Sequence, residues 1–308
     1  MCKMRLRPME LRDRAEVTEL ICVSTNTWYQ LRGRQRTFPC GPESTAIFFD
    51  VYESLDAGCG VVAENPGNGR LMGSCFYHPR EHHVSLGIMN VHPNYFGRGV
   101  ARELLQYILD YADHGGYPAV RLVQSAMNLD SFSLYTRAGF VPRCAYQDML
   151  LEVPEEGLAK TADTARVREA TLDDIPAMAE LEREVSGICR QKDYRYFIEN
   201  REGIWGSLVY QGLQGIEGFM FSSKHLASNM VGPGVMRTEQ QAASLLLAAL
   251  DRYRGGAAVF LVPVECQTLV RQMYALRARN CELHFCQVRG QFQPFQGISM
   301  PVFLPESA

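Results

Sequence analysis

No excess of basic charge runs along this chain: 31 lysines and arginines stand against 34 aspartates and glutamates, a formal net charge of −3. Without a positive field, a role in binding nucleic acid or an anionic membrane surface is excluded. Long apolar runs are missing too, since the greasiest stretch, residues 242–250, falls far short of the roughly 20 residues that cross a bilayer. The amino terminus carries Lys3, Arg5 and Arg7 with no following apolar segment of secretory length, so a cytoplasmic protein is expected. Its ten cysteines include no C-x-x-C pair and no spaced histidine partners, which argues for reduced, buried thiols and against a zinc site or disulfide staples. Neither G-x-G-x-x-G nor G-x-x-x-x-G-K-[ST] occurs, so the dinucleotide and P-loop fingerprints are excluded as well.

What the chain does have is a strand end, a glycine-bearing turn and a helix start compressed into residues 91–101, Val-His-Pro-Asn-Tyr-Phe-Gly-Arg-Gly-Val-Ala. Gly97 and Gly99 can take positive φ and bring backbone amides close to a ligand, beside the first free N–H groups of the following helix. A diphosphate suits such a cradle. The helix is read from Ala101, Leu104, Leu105, Ile108, Leu109 and Ala112, which recur at helical spacing with polar residues between them.

Further along, Ala119-Val120-Arg121-Leu122-Val123 predicts a strand. It is followed by Asn128, then Leu134-Tyr135, then Gly139-Phe140. With these residues in place, the chain resembles a GNAT-superfamily N-acetyltransferase. Residues 96–101 match the superfamily's loop Q/R-x-x-G-x-G/A at the glycine and the small residue, with Phe96 where Gln or Arg is usual; the Asn, Leu-Tyr, Gly-Phe motif matches in full. The resemblance implies acetyl-CoA as cosubstrate. Backbone groups of Met89, Asn90 and Val91 would then hold the thioester and pantetheine, while Phe96, Gly97, Arg98, Gly99, Val100 and Ala101 receive the pyrophosphate. Asn128 would bond the pantetheine arm, and Tyr135 would lie near the sulfur.

Acyl transfer from a thioester to an amine needs alignment, a donor for the oxyanion, a route for the amine's proton and an acid for the thiolate. Tyr135 is the candidate acid, since a phenol with a pKa near 10 can protonate sulfur without being ionised itself. Gly87, inside the apolar run 85–91, predicts a bulge or a close backbone approach. The base stays open among Glu43, Asp50, Glu53, an imidazole or water, because the loop-bearing strand has no glutamate. Trp28, Tyr29 and Arg32, after the first helix expected over residues 12 to about 23, are candidates for gripping the acceptor, with Arg34 and Arg36 beside them. Residues 78–83 hold three imidazoles and a carboxylate but read as a polar hairpin tip, and no metal is expected.

An internal duplication organises the whole. Arg5, Arg7, Leu11 and Asp13 are matched at equal spacing by Arg166, Arg168, Leu172 and Asp174, and residues 101–110 by residues 242–251. The expected fold class is α/β with a mixed sheet, in two tandem GNAT-like domains: residues 1–154, a polar linker over 155–164, and residues 165–308. Opposite residues 96–101 the second copy reads Arg-Thr-Glu-Gln-Gln-Ala and keeps no glycine, so one coenzyme site per chain is expected. The expected function is an N-acetyltransferase of the acyltransferase class (EC 2.3.1), acting on a small-molecule primary amine by direct attack in a ternary complex. Two alternatives are a non-catalytic acyl-CoA sensor and an acetyltransferase of protein lysines or N-termini. A homodimer is left open.

Overall fold

Each half of the chain opens on the same device. Arg7 forms a two-pronged ion pair with Asp13, whose carboxylate also accepts from the Glu10 amide; Arg168 and Asp174 repeat it, with the Thr171 amide as donor. In both, a short strand is tied to the start of the helix after it, and the carboxylate sits where the helix dipole favours it. The computed structural model describes residues 4–159 and 162–307; Lys3, and Lys160 and Thr161 of the expected linker, lie outside the described residues.

The order of elements also repeats. The first half runs β1 (Arg5–Pro8), α1 (Arg14–Gln30), α2 (Ala46–Leu55), β2 (Gly60–Glu64), β3 (Leu71–Pro79), β4 (Val84–Val91), α3 (Val100–His114), β5 (Ala119–Ser125), α4 (Leu129–Arg137) and β6 (Val141–Val153). The second runs β7 (Val167–Glu169), α5 (Ile175–Ser186), α6 (Gln191–Glu199), β8 (Trp205–Gln211), β9 (Ile216–His225), β10 (Ser228–Met236), α7 (Glu239–Leu250), β11 (Gly256–Pro263), α8 (Gln267–Ala275) and β12 (Arg279–Gly290), and then adds β13 (Ile298–Met300). This is a mixed α/β fold used twice. One correction concerns α1, which continues seven residues past its expected end, from Val23 to Gln30. No glycine or proline interrupts it before Gly33, and burial of Ser24 and Asn26 outweighs the weak helix preference of Thr25 and Thr27.

Compactness divides the chain differently from the repeat. One unit comprises Met1–Leu122 with Phe303–Glu306, the other Val123–Val302 with the last two residues. The first unit has strand order β1-β2-β3-β4-β5; the second has β12-β6-β11-β10-β9-β8-β7. The expected boundary at 154 and the compact boundary differ because β6, the last strand of the first copy, pairs along its length with β11 and β12 of the second copy.

In the first unit, α3 lies on the sheet through Val100, Leu104, Leu105, Ile108, Leu109 and Ala112, all buried. Gly73 of β3 makes room for it, since a Cβ there would stand 2.8 Å from Val100 and 2.9 Å from the Asn90 carbonyl. In the second unit, the core gathers α7, β11 and α8 around Leu246, Phe260 and Leu269.

Candidate active site

Strand β4 sets the geometry of the first unit. Its pairing with β3 steps from Cys75↔Met89 to Tyr77↔Leu86, two residues on β3 against three on β4, which is a bulge. Gly87 allows it: a Cβ at this position would meet the Phe76 carbonyl oxygen at 2.8 Å. On its other side β4 pairs with β5 only at Val84↔Val120 and Ser85↔Arg121. Past the bulge the two parallel strands part, and residues 86–91 have no strand partner on that side among the described residues. Met89 and Val91 are half-buried on this open edge, and Asn90 is buried.

The loop beyond β4 presents amides. Gly97 and Gly99 take φ of 72° and 86°, Gly99 capping α3 from the left-handed region. A Cβ on Gly97 would meet nothing within 4 Å, so its positive φ and not crowding selects glycine. The amides of Gly97, Gly99, Val100 and Ala101 donate to no acceptor among the described residues. Four donors at a helix start form an anion cradle, and the donor set fits a pyrophosphate. Phe96 and Arg98 are exposed beside it, the Arg98 guanidinium 5.8 Å from the Tyr95 ring centroid.

The second copy closes both features. Thr238 caps α7 by accepting from the Gln241 amide, and the Gln241 side chain accepts in turn from the Thr238 and Arg237 amides, each at 3.1 Å. The capping box leaves these groups nothing to offer a ligand. Where β4 has an open edge, β10 is zipped by β13 through Gly234↔Met300, Val235↔Ser299 and Met236↔Ile298. Glu239 accepts from the Leu269 amide at 2.7 Å, and Tyr274 is half exposed and donates to Gln147.

Asn128 and Tyr135 belong to the second unit. Asn128 caps α4, its Oδ1 accepting from the Ser131 amide at 3.1 Å. Tyr135 is buried on the same helix with its ring against Phe140. Trp28 and Tyr29 fall in the last turn of α1, ring to ring at 4.8 Å, and the Arg32 guanidinium lies 3.9 Å above the Trp28 ring. Of the expected bases, Asp50 is an exposed partner of Arg14 and Glu53 accepts from the Gly58 amide.

The expected polar tip at 78–83 is corrected in part: β3 runs on to Pro79 and two of the three imidazoles, His78 and His83, are buried, while Glu81 and His82 stay exposed. His78 Nδ1 lies 2.8 Å from Asp56, to which Arg80 also donates at 3.1 Å, while His83 bonds Ser85. The sequence reading missed two other groupings, because both are assembled from positions far apart in the chain. Asp148 of β6 and Glu282 and His284 of β12 bring ligand atoms within 4.8 Å of one another, a set with the chemistry to hold a divalent cation. Burial and the neighbouring Glu282 push the Asp148 carboxyl up to about 7, and burial lowers His284 to about 3. In the first unit, Tyr52 of α2 donates to Glu306 at 2.5 Å.

Residues 25–140 match the acetyltransferase (GNAT) family model. Over 73 residues the chain is 34% identical to the UPF0157 protein YqkA of Bacillus subtilis (strain 168), covering 24% of this chain and 21% of that protein, so it spans about a fifth of its curated relative. Across nearly its full length it shares a fold with a putative acetyltransferase from Pyrococcus horikoshii, at TM-score 0.75 and 15% identity, covering 98% of this chain and 95% of that one. A tandem GNAT protein from the clavulanic acid biosynthesis pathway superposes at TM-score 0.64 and 15% identity, over 94% and 98% of the two chains.

Proposed function

Residues 25–140 being a GNAT acetyltransferase domain inside a tandem GNAT fold, we propose that the chain acetylates a primary amine of a small molecule, in the cytoplasm, with both substrates bound together. The observation that carries this reading is the contrast between the copies: four open amides beside an unpaired β4 edge in one, a capping box and β13 in the other. When bound, acetyl-CoA supplies the activated acetyl group as a thioester. The amides of Gly97, Gly99, Val100 and Ala101 hold the pyrophosphate, with Phe96 and Arg98 flanking it, and the backbone of Met89, Asn90 and Val91 orients the pantetheine arm. The Asn128 side-chain amide, whose oxygen is engaged in the cap, has Nδ2 left to donate to that arm. Tyr135 Oη gives its proton to the leaving sulfur. Trp28, Tyr29 and Arg32 border the acceptor, and the linker over 155–164 separates the catalytic copy from the degenerate one.

Thiol release from acetyl-CoA, measured across small amines and peptides, tests the reading. Small amines are expected to release thiol; preference for peptides would assign a protein acetyltransferase, and binding without release would assign a sensor. In Tyr135→Phe, turnover should fall about 100-fold or more with coenzyme affinity retained, and unchanged turnover would remove Tyr135 from the mechanism.

A further inference from the structure

The carboxylate that strand β4 lacks is supplied from the other end of the sequence. Phe303–Glu306 belongs to the first unit, where Phe303 and Glu306 form a bridge across a tight turn. Glu306 is 6% exposed. The Tyr52 hydroxyl donates to its Oε2 at 2.5 Å, with the Phe303 carbonyl at 3.2 Å, and the Tyr52 ring stands edge-on to Phe76, the β3 residue packed against Gly87 in the β4 bulge. The same Oε2 lies 3.8 Å from His78 Nε2, and His78 Nδ1 lies 2.8 Å from Asp56, to which Arg80 also donates. A hydrogen bond therefore joins Tyr52, packed beside the bulge of the strand that is read as holding the thioester, to a buried carboxyl group.

Resting on the acetyltransferase reading, we propose that Glu306, working through the Tyr52 hydroxyl, accepts the proton of the acceptor ammonium and so delivers a neutral amine to the β4 bulge. The ammonium proton passes to Tyr52 Oη as the Tyr52 proton passes to Glu306. The N–C bond then forms and the C–S bond breaks; sulfur takes the Tyr135 proton, and Tyr135 regains one from the new amide nitrogen. Glu306 is left with one proton, which it returns to water. Its surroundings suit the task. Tyr52 from α2 and Cys75 and His78 from β3 face it, and burial raises its carboxyl to about 8 against the opposing pull of the Tyr52 hydrogen bond and the Arg80 charge. A carboxyl held near the working pH can both take up and release a proton.

The full-length Glu306→Gln variant tests this against the wild type with two acceptors: an alkylamine, protonated at neutral pH, and an aniline, neutral there. Transfer to the alkylamine should fall at least 100-fold and transfer to the aniline less than fivefold, with coenzyme affinity by calorimetry unchanged. In the free protein, the melting temperature of the wild type should decline as pH rises from about 4.5 through 8, because the folded carboxyl holds its proton more tightly than the unfolded one; the variant should lack this component. Equal losses with both acceptors, or transfer within threefold of wild type, would overturn the assignment to Glu306 alone. Absence of thiol release by the wild type itself would overturn the acetyltransferase reading with it. Should the Gln variant not fold, Tyr52→Phe removes the same hydrogen bond and must show the same acceptor split.

Discussion

At the scale of single residues, the site depends on groups whose meaning comes from what surrounds them. Tyr135 was marked by its place in a motif, and its burial against Phe140 fits either a packing or a catalytic role, which is why the Phe substitution decides. Glu306 carries no such mark; nothing in Leu-Pro-Glu-Ser-Ala distinguishes it from any polar terminus. Asp148 is another carboxyl made unusual by folding. Its folded pKa of about 7 lies above the ordinary value of 3.8, so its contribution to stability is complete below about pH 3.8 and is lost as pH rises through 7. Asp148→Asn should remove that loss, a gain of up to about 4 kcal/mol at pH 8, read as a higher melting temperature there and little change at pH 4. A higher melting temperature on adding Zn²⁺ or Mn²⁺ to the wild type alone would show instead that Asp148, Glu282 and His284 use the negative charge to hold a cation.

Among the elements, α3 and α7 are the same helix put to different uses. Both bury an apolar face, and both must satisfy the amides of their first turn. Helix α7 engages the Arg237, Thr238 and Gln241 amides in its capping box; α3 leaves those of Gly97, Gly99, Val100 and Ala101 without an acceptor among the described residues. A valine at Gly97 has space for its side chain but no comfortable backbone at φ 72°. Gly97→Val should therefore cost about 1–2 kcal/mol of stability and weaken coenzyme A binding by tenfold or more, measured by denaturant unfolding and calorimetry. A variant that loses stability and keeps full affinity would show that the loop serves the fold alone. The glycine turn, the helix behind it and the bulge at Gly87 were all legible from spacing, because each is a local backbone requirement. The length of α1 and the burial of His78 and His83 were not, since tertiary contacts decide both.

For the whole molecule, duplication sets the stoichiometry. With β10 zipped by β13 and α7 capped from within, titration of the chain with coenzyme A should saturate at one equivalent; two equivalent sites would refute the degenerate reading of the second copy. The repeat and its order of elements could be read directly from Arg-x-Arg, the helical spacings and the turn residues, since each half must build the same local structures to bury the same faces. The sequence determined by itself the α/β class, the twofold repeat, the glycine loop and its loss in the second copy, all of which rest on neighbours within a few residues. Only the tertiary structure decided that β6 pairs with β11 and β12, that β13 seals β10, and that Glu306 meets Tyr52. Strand pairing and a buried proton acceptor join residues up to 254 positions apart, and such partners are chosen by packing and desolvation, for which local sequence carries no signal.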